Sequence, residues 1–162
     1  MKAITICQPY AHLICLPDDH SIAKRVENRT WPTSYRGPLL IHAGKSREWL
    51  ATADTRCPEV PLGIPLADLV FGKIVAVCSL IDCVAKERSG INGFTPAVLE
   101  RHPWLAMHKH AHGPYCFILA NVRPLENPVP YRGQQGLFNV TVGNALKGEL
   151  RKVNFGYQGA IR

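Results

Sequence analysis

Runs of apolar and polar residues divide this chain into short strands and a smaller number of helices. Ala3 to Cys7 reads as a first strand, and Pro9 starts a helix in which Tyr10, Leu13 and Ile14 recur at helical spacing, ending before Pro17. A polar loop, Pro17 to Ser21, precedes an extended stretch from Lys24 to Thr30, and Trp31-Pro32 forces β or polyproline geometry. Arg36-Gly37-Pro38 turns the chain into a second strand, Leu39 to Ala43, after which Ser46 can cap a helix through Arg47, Trp49, Leu50 and Ala53. Pro58, Pro61 and Pro65 make 57 to 69 an irregular surface excursion with at most one short helix around Pro65 to Val70. Lys73 to Val84 is almost continuously apolar, which predicts a strand buried on both faces. A turn at Ser89 to Gly93 leads to Thr95 and Pro96, the cap and first-turn proline of another helix. Tyr115 to Val122 is a second buried strand, followed by Arg123-Pro124, Pro128-Val129-Pro130 and a closing strand within Gln134 to Val140.

Several short strands with about three helices favour an α+β, mostly β architecture: a barrel closed on itself, with peripheral helices at its ends. The regular strand and helix alternation of a doubly wound sheet is missing. At 162 residues and 46% hydrophobic content the chain is expected to be a single domain spanning 1–162, with 143–162 as a basic C-terminal tail. The longest apolar run, Ile74 to Ile81, is far short of the roughly 20 residues a membrane helix needs, so a soluble, cytoplasmic monomer is expected. The six cysteines form no C-x-x-C pair and several lie in strand-like runs, which points to reduced core thiols.

Charge narrows the chemistry. Nineteen Lys and Arg against twelve Asp and Glu give +7, a balance that favours polyanionic partners. Cations, a carboxylate, an indole and amide donors are densest from Lys24 through Glu27, Arg29 and Trp31 to His42, Lys45 and Ser46, a composition suited to a flat anionic ligand such as a nucleotide. A buried lysine can act as a nucleophile or base, but a carboxylate beside it stabilises the ammonium and makes Lys24 an anion binder. In a regular strand Arg25, Glu27 and Arg29 share a face and Lys24 does not, so Lys24 meets Glu27 only if the chain bends near Ala23-Lys24; the plain alternative is a salt-bridge ladder of Arg25, Glu27 and Arg29. Trp31 can stack a base or lid the barrel, whereas Trp49 and Trp104 read as core. Gly44-Lys45-Ser46 is no P-loop, because that motif needs glycine where Leu39 stands; what remains is a lysine and a capped helix start that could meet a phosphate. His42 reads as a core histidine or a ligand contact. His108, His110 and His112 have metal-compatible spacing but no companion carboxylate or cysteine, so a solvated loop is expected, with no metal and no cofactor. Gln134 or Gln135 could read a base edge.

Three blocks of these residues resemble the ASCH family, whose domains share a PUA-like β-barrel. Ile4-Thr5-Ile6-Cys7-Gln8-Pro9-Tyr10-Ala11 looks like the family's opening, Lys24, Glu27 and Arg29 match its K-x-x-E-x-R core, and Arg36-Gly37 with Leu40-Ile41-His42-Ala43 looks like its second block. Gly133 to Val140 is similar to the closing strand of longer members. The resemblance implies a cleft for RNA or nucleotides and strengthens the functional reading of Lys24, Glu27 and Arg29; with the residue chemistry above, the candidate ligand contacts are Gln8, Arg29, Trp31, His42, Lys45, Ser46 and Gln135. Some relatives hydrolyse the amide of N4-acetylcytidine, others are ribonucleases, and others are modules of transcription coactivators. The amidohydrolase relatives carry a threonine three residues after the lysine, where this chain has Glu27.

Three readings follow. In the first, Lys24, Arg29 and Lys45 neutralise phosphate, Glu27 orients Lys24 or accepts a base amine, and Trp31 stacks. In the second, Lys24 and Glu27 are the centre of a metal-independent hydrolase acting on N4-acetylcytidine or single-stranded RNA. The third is a non-catalytic protein-interaction module built on the excursion at 57 to 69. The first requires Lys24, Arg29 and the Lys45 loop to line one hollow.

Overall fold

The computed structural model describes residues 1–51, 64–87 and 90–155. Its centre is a six-stranded mixed sheet curled into a half-barrel, in the order β2-β5-β4-β3-β1-β6. The strands are β1 (Lys2–Ile6), β2 (Val26–Arg29), β3 (Gly37–Ala43), β4 (Lys73–Ala85), β5 (Tyr115–Pro130) and β6 (Leu137–Asn139). Only β1 and β3 run parallel; every other pairing is antiparallel. The peripheral helices are α1 (Tyr10–Cys15), α2 (Glu48–Ala51), α3 (Pro96–Arg101) and α4 (Asn144–Lys152), with 3-10 turns at Leu66–Asp68 and Pro103–Met107.

The long β4–β5 ribbon supplies the curvature. Its register shifts three times, and each irregularity adds local twist and bends the pair. One is a bulge: Ser79 pairs with Ala120 and Val77 with Arg123, so Asn121 and Val122 oppose a single residue, and Asn121 takes the left-handed φ of 53° that asparagine tolerates. A second shift, between Ile74 and Ala76, corrects the expectation that strand pairing ends at Val122. β5 runs on to Pro130 because Pro124 borders that break in register, Pro128 falls within it and Pro130 is the last residue of the strand, positions where a missing amide donor is tolerated.

Both faces of the sheet are buried, as the unbroken apolar runs require. On one face Ile4, Ile6, Leu39 and Ile41 pack with Ala11 and Ile14 of α1 and with Phe117. On the other, Ala3, Leu40, Ile74 and Val77 meet Phe138, Leu146 and Leu150. The segment read as a tail is therefore a helix through Lys152: Leu146 and Leu150, four apart, lie on one side of α4 and together supply roughly 3 to 6 kcal/mol of apolar burial. A third cluster, at the β2 end, joins Val26, Val84 and Ile118 to Phe94 and Leu105. Trp104 lies beside that cluster but is 40% exposed, contrary to its expected core role, because Leu105 takes the inward position of the Pro103–Met107 turn. Cys78 and Cys116 are buried free thiols, and Cys7, Cys15 and Cys83 are half-buried and also free. No helix among the described residues is long and apolar enough to cross a membrane.

Candidate functional site

Two hollows adjoin where the ends of β1, β2 and β3 meet. The smaller, about 360 Å³, is bordered by Thr5, Cys7, Tyr10, Lys24, Glu27 and Arg29, with the 110–114 loop opposite. The larger, about 1220 Å³, lies between Trp31, His42, Lys45, Gly72 and the 130–136 loop. Thr5, Arg29 and Thr30 stand in the walls of both.

The smaller hollow is built on a buried chain of charges. Lys24 precedes β2, its backbone N–H held by the Leu13 carbonyl at 3.0 Å, and this bend turns its side chain back under the strand. The ammonium donates to the Val26 carbonyl and, at 2.7 Å, to Glu27 Oε2. Glu27 Oε1 pairs with Arg29 Nη2 at 3.0 Å, and the same Nη2 donates to the Thr5 carbonyl at 2.7 Å. Two cations thus share one carboxylate, and Lys24 and Glu27 are only 3% and 7% exposed. The site holds one positive charge in excess, in surroundings where an incoming anion is poorly screened. Arg25 leaves this ladder for Asp18 and the Ile14 and Leu16 carbonyls. Burial first, and then the Glu27 charge, push the Cys7 thiol up, which makes it a poor nucleophile.

The opposite wall is the histidine segment. Asn28 pins it: its Nδ2 donates to the His110 carbonyl at 2.7 Å, while its Oδ1 accepts from the His112 and Gly113 amides at 3.1 and 2.9 Å. Gly113 permits this approach, since a Cβ there would lie 2.7 Å from Asn28 Cβ. The segment is not the solvated loop that alternating histidines suggested. His110 is buried, its Nε2 3.3 Å from the Ile22 carbonyl, and His108 packs edge-on between Trp104 and His110. Burial, and then the charges of His110, Lys24 and Arg25, hold His108 down at about 4. Only His112 of the three is exposed, at the cavity wall. Among the described residues, no group of three or more His, Cys, Asp or Glu could hold a metal ion.

In the larger hollow Trp31 sets its ring edge-on to Phe117 at 5.1 Å, half-buried against the core. Lys45 lays its stem across Gly72, where a side chain would meet Lys45 Cε at 2.7 Å and where φ is +65°. His42 donates from Nε2 to the Tyr131 carbonyl at 3.1 Å; burial lowers its pKa, an effect the Tyr131 bond opposes and the Lys45 charge reinforces. Gln134 and Gln135 are exposed along the rim.

The sequence candidates thus fall in different places. Lys24 and Glu27 line the smaller hollow, Trp31, His42, Lys45 and Gln135 the larger, and Arg29 both, so the cations of the single expected hollow line two adjoining ones. Gln8 and Ser46 line neither. Gln8 is spent on the backbone, accepting from His12 N at 3.0 Å and donating to the Val70 carbonyl at 2.7 Å, and it borders a separate hollow of about 130 Å³. Ser46 accepts from the Glu48 amide at 3.3 Å as the cap of α2. Most of the excursion at 57 to 69 and the side chain of Trp49 lie outside the described residues. Sequence reasoning missed Thr5, Tyr10, Asn28, His110, His112 and Arg132. A lone polar Thr5 in an apolar strand was a usable signal; the others needed contacts distant in sequence.

No protein-family model matches the chain, and no curated protein does either. Among solved structures the chain is similar to ASCH from Zymomonas mobilis, with 14% identity and a TM-score of 0.47 over 93% of each chain. It is also similar to a tyrosine-to-phenylalanine mutant of that protein, with 13% identity and a TM-score of 0.46 over 93% of this chain and 96% of the other.

Proposed function

We propose that this protein binds RNA, or a nucleotide or modified nucleoside, in the cleft formed by the two joined hollows. The observation that carries this reading is the place of Arg29. Its guanidinium is held by Glu27 and the Thr5 carbonyl while standing in the wall of both hollows, so one fixed cation serves a ligand that spans them. Lys45 and Arg132 on the larger hollow and the net charge of +7 supply the remaining attraction for phosphate. Trp31 and Tyr10 offer ring surface to a base, one on each side of Arg29. Fluorescence anisotropy with a labelled single-stranded RNA tests this. Binding that weakens as salt rises, and falls about tenfold or more in Arg29→Ala, supports the reading; equal binding by the variant contradicts it.

A second reading, a metal-independent hydrolase acting on N4-acetylcytidine or single-stranded RNA, draws support from the buried Lys24–Glu27 contact of 2.7 Å beside the smaller cavity. Turnover that persists in EDTA and disappears in Lys24→Ala supports it. Retention of the substrate without turnover leaves the binding reading alone, and metal-dependent turnover contradicts the second.

A further inference from the structure

Three buried side-chain atoms have no hydrogen-bond partner among the described residues: Thr5 Oγ1, Arg29 Nε and His42 Nδ1. All three belong to residues of the larger hollow. Thr5 and His42 are register partners in the parallel β1–β3 pair and therefore project from the same face. Gly133 closes over them: a Cβ at that position would sit 2.7 Å from His42 Nδ1 and 2.8 Å from Thr5 Oγ1, so both atoms flank a single point. Buried polar atoms are nearly always paired, and three unpaired ones on one hollow mark a place where partners from outside the chain belong.

Their chemistry defines the partner. A carbonyl can only accept, so the contact with the Tyr131 carbonyl puts the imidazole hydrogen of the neutral ring on Nε2 and leaves Nδ1 as an acceptor. Arg29 Nε can only donate, since a guanidinium has no acceptor, and it is still unpaired while Nη2 of the same group is engaged by Glu27 and the Thr5 carbonyl. The Thr5 hydroxyl does either. The set thus asks for a partner that carries both a donor and an acceptor. Phosphate carries acceptors and would face the His42 lone pair; an apolar group satisfies none of the three. The hydrogen-bonding edge of a nucleobase, with N–H beside a carbonyl or ring nitrogen, satisfies all of them.

We propose that Thr5 Oγ1, His42 Nδ1 and Arg29 Nε form a base-reading point in the larger hollow, beside the phosphate contacts of Lys45 and Arg132, and that the Arg132–Gly136 loop shifts at Gly133 to admit the base edge while Tyr131 keeps its bond to His42. The proposal rests on the nucleotide reading above and assigns the part of the ligand that this hollow recognises.

The test compares uridine, cytidine, adenosine and guanosine 5′-monophosphates with ribose 5-phosphate by calorimetry. The wild type is expected to bind at least one mononucleotide about tenfold or more tightly than ribose 5-phosphate. Thr5→Val, which keeps the shape and removes the hydroxyl, and His42→Phe should bring that ratio to within about twofold. In the wild type, which needs no variant to fold, the 15N resonance of His42 Nδ1 should move on mononucleotide binding and stay in place with ribose 5-phosphate. Equal binding of mononucleotides and ribose 5-phosphate, a ratio preserved in folded Thr5→Val, or an unmoved Nδ1 resonance overturns the reading point and leaves phosphate binding standing. If neither ligand class binds, the nucleotide reading fails and the reading point falls with it.

Discussion

The two hollows share a wall but treat their polar groups differently. In the smaller one the protein meets its own needs: Lys24 and Arg29 share Glu27, Asn28 secures the histidine segment, and the carbonyls of Val26 and Thr5 take remaining donors. In the larger one the rim cations Lys45 and Arg132 have no ion-pair partner among the described residues, and Thr5, His42 and Arg29 Nε are left over. A site already paired is a structural element first, and a ligand there must compete with the pairing. A site with leftover donors and acceptors costs the fold stability, and a ligand that supplies the partners recovers that cost. Removing Lys24 or Glu27, which line only the smaller hollow, should therefore damage the fold, whereas removing Lys45 or Arg132, which line only the larger, should damage binding.

The largest expected effect is Glu27→Gln, which leaves the buried Lys24 and the half-buried Arg29 without their shared carboxylate and should cost about 3 kcal/mol or more in urea unfolding. A loss under about 1 kcal/mol would mean that the ion chain is not structural. Next comes acid sensitivity at the wall of the same hollow. His108 is held at about 4, below an unfolded value near 6.5. The unfolded chain then binds the extra proton at the higher pH, so the contribution of the neutral ring is complete above about 6.5 and disappears as pH falls toward 4. With allowance for partial solvation this amounts to roughly 2 kcal/mol, and His108→Gln should flatten the slope of unfolding free energy between those pH values. An unchanged slope would mean that His108 is not buried as neutral. The smallest effect on stability belongs to Lys45→Ala, expected within about 0.5 kcal/mol of wild type. The same variant should lower the slope of log affinity against log salt for single-stranded RNA by about 1.

Much of the scaffold was readable in sequence because its signals are local. Pro9, the Thr95-Pro96 pair and the apolar runs at 39–43 and 73–84 led to α1, α3, β3 and β4 within a residue or two. The bend at Lys24 could be stated as a condition, since strand alternation forbids its contact with Glu27 otherwise. What escaped depends on partners distant in the chain. Pro124 and Pro128 looked like breaks in β5 until β4 fixed the register they interrupt. His108 and His110 looked solvated because Phe94, Leu105 and Val26, which form the cluster beside them, come from separate segments. Gln8 looked available as a ligand contact, but its amide serves a carbonyl 62 residues away. Leu146 and Leu150 were masked by the basic residues and glycine around them, and only α4 puts the two leucines on one side.

The most direct test of the account is a chemical-shift titration of the labelled protein with cytidine 5′-monophosphate. Perturbations should gather at Thr5, Arg29 and Thr30, the residues common to both hollows, and extend to His42, Lys45 and the 131–136 loop. Perturbations confined to the far side of the sheet ends, such as α4 or α3, with those residues unmoved, would contradict a ligand cleft between the two hollows.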